Sequence, residues 1–228
     1  AVGTGRSGGS YGGMGGPGDG GTPNDCYGDC TNPVDPGSGG RGANSRAAGG
    51  GGVIHITASS IVLDGAIHAD GETSHYYNGG GSGGAIRLDV GTLSGTGWIT
   101  ADGGVGHPHQ YDRAGGGGGG RIAVYADDMS GFPVETNITC HGQVGWLASS
   151  APDGQYSGTG TIYLRRGDAA GELRIDSHGE GAGRWTPLLG NAGRGSFNAE
   201  DMVIAGAGVV VVPENESTTV TCDNLTIL

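Results

Sequence analysis

Several side chains in this 228-residue chain could do chemistry. His75, His107 and His109 lie in polar stretches, and His107-Pro108-His109 sets two imidazoles one residue apart. Imidazole is a common transition-metal ligand, although loop histidines are ordinarily just solvated. Asp64, Asp70, Asp102 and Asp112 stand near turn signals and offer the oxygen ligands that calcium takes. Asp-Gly is also simply a good turn, and GGPGD from Gly15 falls short of the G-G-x-G-x-D calcium repeat. Tyr76, Tyr77, Tyr111, Trp146 and Tyr156 could stack on sugar rings, each with a flat apolar face and a polar edge. Loops packing on themselves would explain them equally. Arg87 with His55 and Tyr163 could supply the base and charge neutraliser of polysaccharide cleavage, with Glu72, Asp112 and Arg113 in loops. No two of these form a recognisable catalytic arrangement, so no catalytic residue is assigned.

Cys26 and Cys30 in CYGDC have three residues between them, a spacing that suits a small disulfide-closed loop. Zinc would need a second pair of ligands nearby, and none is evident. Cys140 and Cys222 are left open as a pair. The sequons at Asn137, Asn215 and Asn224, the even cysteine count, the absence of lysine and the abundant glycine together favour an extracellular glycoprotein. A formal charge of −12 argues against nucleic acid and anionic membranes, and no run approaches the roughly 18 apolar residues of a membrane span.

The elements that must position these groups are repeats. Glycine makes up 55 of the 228 residues, with no collagen period. Four glycine-rich runs each feed an alternating strand: GGGGVIHIT from Gly49, GGGSGGAIRLDV from Gly79, GGGGGGRIAVYA from Gly115 and SGTGTIYLRR from Ser157. Ile54, Ile86, Ile122 and Ile162 align at spacings of 32, 36 and 40 residues. Period-2 alternation predicts half-buried strands. The inward columns are these isoleucines, then Ile56, Leu88, Val124 and Leu164, and on a second strand Ile67, Ile99, Ile138 and Ile175. Outward columns such as His55, Arg87, Ala123 and Tyr163 are mixed. A face that no single repeat can bury alone requires stacked neighbours.

The expected fold is therefore all-β: a glycine-rich parallel β-helix or solenoid with long loops on one flank. Right-handedness is expected from chain chirality rather than from any residue. Residues 1–48, holding CYGDC, are expected to pack on coils spanning 49–190, with further strands over 191–228. The connection between repeats lengthens along the chain, so His75, Tyr76, Tyr77, His107, His109, Tyr111, Trp146 and Tyr156 are expected along one binding flank. STTVTCDNLTIL ends in mid-strand without a polar cap, so a longer chain or another subunit is expected to cover that end.

The motif order TLSGTGWITADGG, GGGGGGRIAVYA, GTGTIYLRR, GELRIDSHGE and TPL resembles glycine-rich β-solenoid segments of very large surface and secreted proteins. The resemblance covers residues 49 to about 190. It implies the parallel stack and a role as stalk, adhesin or cell-surface fibre, and it brings no catalytic residues. The expected function is thus structural: a component of an extracellular fibre, appendage or cell-surface layer that associates with itself or with other subunits. The alternative is an adhesin or carbohydrate-binding module presenting the aromatic and histidine flank to glycans. A polysaccharide-processing enzyme is the third reading. No cofactor is required, and calcium is the ion that the turn aspartates could hold.

Overall fold

The computed structural model describes residues 3–42, 47–75, 77–107, 113–145, 156–180, 182–188, 196–213 and 218–228. The chain is mostly β, with largely parallel sheets. Each glycine run feeds a long strand and then a short one. The pairs are β1 (Val53–Val62) with β2 (Ala66–His68), and β3 (Ala85–Ser94) with β4 (Trp98–Thr100). In the third repeat, β5 (Arg121–Gly131) is followed by the one-turn helix α1 (Val134–Asn137) and then β6 (Ile138–Thr139). The fourth run feeds β7 (Thr161–Arg166).

The long strands pair in parallel and in the expected register. Ile54, Ile86, Ile122 and Ile162 align, as do Ile56, Leu88, Val124 and Leu164. The short strands form a second parallel sheet, with Ile67 beside Ile99 and Ile99 beside Ile138. These side chains meet Leu93, Met129, Phe132, Ala101 and Cys140 in one apolar cluster. Full burial of a residue such as Ile122 stabilises the fold by roughly 1.5–3 kcal/mol.

The glycine segments between the sheets are tied together by main-chain hydrogen bonds rather than by side chains. Gly117 shows why glycine is required. Its N–H donates to the Gly104 carbonyl, and its own carbonyl accepts from Gln143 N–H and the Ser157 hydroxyl. A Cβ there would lie 1.8 Å from the Gly81 carbonyl oxygen. The N-terminal segment joins the same layer. Gly9 donates to Gly80, Gly12 to Gly119 and Gly16 to Gly116, while Gly118 donates back to Gly9. A stretch with almost no apolar side chains is thus held by satisfying its backbone.

The next strand corrects the sequence-based alignment. Ile175 was expected above Ile67, Ile99 and Ile138 in the second sheet. Instead β8 (Glu172–Asp176) folds back on β7 as an antiparallel partner, with Tyr163 opposite Leu173. The connection is the cause. Only residues 167–171 separate the two strands, and Gly167 and Gly171 both adopt positive φ (53° and 90°). Strand β7 stops at Arg166, the partner of Ala126, where β1, β3 and β5 run on before crossing to the second sheet, and the two glycine turns reverse the chain within the first sheet instead.

The chain continues through β9 (Trp185–Leu188), β10 (Ser196–Asn198), β11 (Asp201–Ala205), β12 (Val210–Pro213), β13 (Thr219–Thr221) and β14 (Asn224–Ile227). Strands β8, β11 and β14 run parallel to one another and extend the first sheet to seven strands, in the order β1-β3-β5-β7-β8-β11-β14. β9 pairs with β12, and β10 with β13. Leu173, Ile175, Phe197 and Met202 form a second cluster with Ala123, Tyr163 and Cys30. On β7, Ile162 and Leu164 face the first cluster and Tyr163 the second. The two cores therefore lie on opposite faces of one sheet. Among the described residues, no helix is long and apolar enough to cross a membrane.

Candidate functional site

The first core is open at the β1 end. One repeat in, Ile86, Leu88, Leu93 and Ile99 are fully buried. Their counterparts Ile54, Ile56, Ile61 and Ile67 pack on the cluster from one side only and stay half-buried. Val53 is 44% and Val62 73% exposed on the same strand. β1 reads VIHITASSIV, with no acid, arginine or proline. It is the edge of its sheet, and β2 is the edge of the other. Such an edge carries a row of unpaired N–H and C=O groups, and natural proteins normally guard it with charge, proline or a bulge. At the far edge, Leu225 and Ile227 of β14 are 55% and 68% exposed.

A polar surface crosses the outer face of the long sheet. His55 Nε2 lies 2.5 Å from Asp89 Oδ2, and Arg87 grips Asp89 through Nε and Nη2 at 2.8 and 2.9 Å. The Arg87 hydrogen bonds above all hold the Asp89 carboxyl below its usual range. Arg87 also bonds Asn32 and lies 4.8 Å from the centre of the Tyr125 ring, while Arg165 approaches the same ring at 5.8 Å. The Tyr125 hydroxyl donates to the Thr31 carbonyl, and burial pushes its pKa up to about 12. A cleft of about 300 Å³ opens beside it, floored by Tyr125, Tyr163 and Arg165 and walled by Thr31 and Asn198. The column of Arg87, His55 and Tyr163 noted from sequence is thus real. However, Arg87 is committed to Asp89, and the Tyr163 hydroxyl donates to Ala170 O. Glu72 is likewise bound to Gly49 N–H, and the Arg113 N–H to Asp19.

Arg121 was not singled out from sequence. It stands in a column with Val53, Ala85 and Thr161. It is fully buried under the N-terminal segment, donating from Nε to Tyr27 O and from Nη1 to Thr161 Oγ1, with Tyr11 5.4 Å away. The signal was a charged residue in an otherwise small, uncharged column.

The flank loops are brought together in part. Asn78 Nδ2 donates to His75 O, and the His107 N–H is shared between Asn78 O and Ser74 Oγ. Tyr77 adopts φ 61° with Arg6 5.7 Å over its ring, and Tyr156 packs against Gly183. Tyr76, His109, Tyr111 and Trp146 lie outside the described residues, as do Asp112 and Asn215.

The aspartates proposed for calcium are engaged as turn and ladder acceptors. Asp70 accepts from Thr100 Oγ1 and Asp102 N–H, Asp102 from Thr139 Oγ1 and His141 N–H, and Asp64 from Thr96. Among the described residues, no three His, Cys, Asp or Glu side chains gather as a metal site. The Asn137 amide donates to the carbonyls of Thr96 and Gly97, and the Asn224 amide to Asp201.

In the structure Cys26 and Cys30 are thiols and the expected bridge between them is not formed. Cys30 instead turns into the second cluster beside Ala123 and Tyr163. The loop is closed by hydrogen bonds, with Asp29 accepting from the Thr31 and Asn32 N–H groups and the Tyr27 hydroxyl donating to Pro36 O. Burial pushes Cys26 up to about 12 and Cys30 up to about 11, against the opposing pull of Arg121.

No family model, curated protein or solved structure matches the chain.

Proposed function

We propose that this chain is a section of a glycine-rich, right-handed β-solenoid and serves as a building block of an extracellular fibre, appendage or surface layer. The observation that carries the reading is the apolar layer of Ile54, Ile56, Ile61 and Ile67, packed on one side and open on the other. In-register parallel ladders support the solenoid, since each repeat completes the face of the one before. The mechanism is mechanical. Ladders resist extension, the glycine layer fixes neighbouring segments through their backbones, and the open layer gains most when covered.

Electron microscopy and light scattering of the purified protein, with mass spectrometry of intact glycopeptides, test this reading. Ordered assemblies bearing glycans are expected. A monodisperse, unglycosylated monomer at high concentration would overturn it.

A second reading, saccharide binding, is favoured by the aromatic-floored cleft of Tyr125, Tyr163 and Arg165. It predicts that a Tyr125→Ala variant keeps its assembly but loses retention on immobilised glycans.

A further inference from the structure

Resting on the second reading, saccharide binding, we propose that the cleft beside Tyr125 takes a sugar acid: a uronate unit of an acidic polysaccharide, with its carboxylate on Arg165 and its ring on the tyrosine floor.

Charge singles out Arg165. Two arginines approach the Tyr125 ring, Arg87 at 4.8 Å and Arg165 at 5.8 Å. Arg87 is neutralised, because it grips both oxygens of Asp89. Arg165 has no equivalent partner among the described residues. Its Nε donates to the Gly167 carbonyl, and its Nη2 lies 3.9 Å from Asp168. That carboxylate is fully exposed, so the pair is weak and easily displaced. The main chain and the Tyr125 ring thus orient the guanidinium without neutralising it. A guanidinium held this way offers the parallel N–H groups that a carboxylate accepts.

The acids nearby do not compete. Asp29 accepts from the Thr31 N–H, the Thr31 hydroxyl and the Asn32 N–H, and Asp89 is bound by Arg87 and His55. On a chain that carries −12, the charged residue that lines this cleft is an arginine.

The remaining walls suit a sugar ring. On β10, Phe197 turns into the second core, while Ser196 and Asn198 on either side of it stay exposed and line the cleft. A hydroxyl and an amide can each donate and accept, as adjacent sugar hydroxyls require. Tyr125 and Tyr163, with ring centres 5.7 Å apart, give an apolar floor for the C–H face of a pyranose. The volume, about 300 Å³, lies at the small end of ligand sites and fits a single sugar unit. A ring with flanking hydroxyls and one carboxylate is a uronate.

Oligomers of galacturonate, glucuronate and mannuronate, each also as its methyl ester, are titrated calorimetrically into the full chain and into Arg165→Gln. The ester keeps the ring and hydroxyls and removes only the charge. The parent should bind at least one acid, and bind its ester at least about tenfold more weakly, the margin of a charge-assisted pair. Raising the salt should weaken the acid. Arg165→Gln should lose the preference for acid over ester. An ester bound as well as its acid would overturn the proposal and leave the saccharide reading standing. So would a preference that survives in Arg165→Gln, or oligoglutamate bound as tightly as the sugar acids. Binding of no acid and no ester would overturn both. The comparison of acid with ester is made on the parent, so it decides the matter even where the variant does not fold.

Discussion

Tyr163 and Leu173 stand opposite each other across the antiparallel β7–β8 pair, and at this pair the apolar core passes from one face of the sheet to the other. Leu173 is the first residue of the second core along β8, and Tyr163 is the last contribution of the regular repeats to it. Truncating Leu173→Ala should cost roughly 2–5 kcal/mol, the range for a buried leucine. Tyr163→Phe should cost only about 1 kcal/mol, because it removes the hydroxyl that donates to Ala170 O and keeps the ring. Urea unfolding of the two variants checks both values. Equal effects would mean that the hydrogen bond, not the packing, fixes the switch.

The glycine layer makes a sharper contrast. A methyl group at Gly117 would lie 1.8 Å from the Gly81 carbonyl oxygen, backbone against backbone, with no side chain able to move aside. Gly117→Ala should therefore lower the melting temperature severely or prevent folding. Gly65 meets nothing within 4 Å and does not have positive φ. There the same substitution restricts only the unfolded chain and should be neutral or stabilising, by up to about 1 kcal/mol. Thermal melts of the pair separate a layer that needs glycine from a sequence merely rich in it.

Much of the first core was legible because its period is carried by large aliphatic residues at fixed offsets from a glycine run. Ile54, Ile86, Ile122 and Ile162 fall where that pattern puts them. Ile175 does not, because β7 stops at Arg166 and the glycines at 167 and 171 turn the chain back along it. The second core was harder to see. Its repeating unit is short, as in Asp201-Met202-Val203-Ile204 beside Asn224-Leu225-Thr226-Ile227, and has no glycine run to announce it. The polar surface was half visible. Arg87, His55 and Tyr163 share a column, but Asp89 and Tyr125 lie in the neighbouring one, and the Asn32 and Thr31 contacts come from a segment with no period at all.

Two aspartates should respond to pH in opposite senses. Asp89 is held below its usual range, chiefly by hydrogen bonds from Arg87 and then by His55. The fold thus favours the carboxylate. Its stabilisation is complete above the unfolded value, near 4, and is lost as pH falls through the folded one. Burial raises Asp102 despite the opposing charge of His141. There the fold favours the proton, so the contribution is complete below about 4 and is lost as pH rises through the folded value. The stability advantage of the parent over Asp89→Asn should shrink as pH is lowered from about 6 to about 3. Relative to Asp102→Asn, the parent should gain over the same interval. Urea titrations across that range read both slopes, and slopes of the same sign would contradict the assignment.

The thiols give the last test, and it bears on how the N-terminal segment is held. Cys30 is pushed up to about 11, and Cys140, in the first core, is raised well above its usual range, in both cases by burial. A free cysteine titrates near 8.5, and only the thiolate reacts with an alkylating reagent. Burial therefore depletes the reactive thiolate of both groups and limits access to them as well. In the folded protein, Cys30 and Cys140 should therefore resist iodoacetamide while partly exposed Cys222 is modified. Rising urea should release Cys140 with global unfolding of the first core. If the hydrogen bonds from Arg121 to Tyr27 and Thr161 clamp the segment to that core, Cys30 should appear at the same urea concentration. Earlier labelling of Cys30 would show that residues 26–30 open on their own. An unreduced protein 2 Da lighter than its reduced form, with Cys26 disulfide-linked to Cys30, would show instead that the loop is closed covalently.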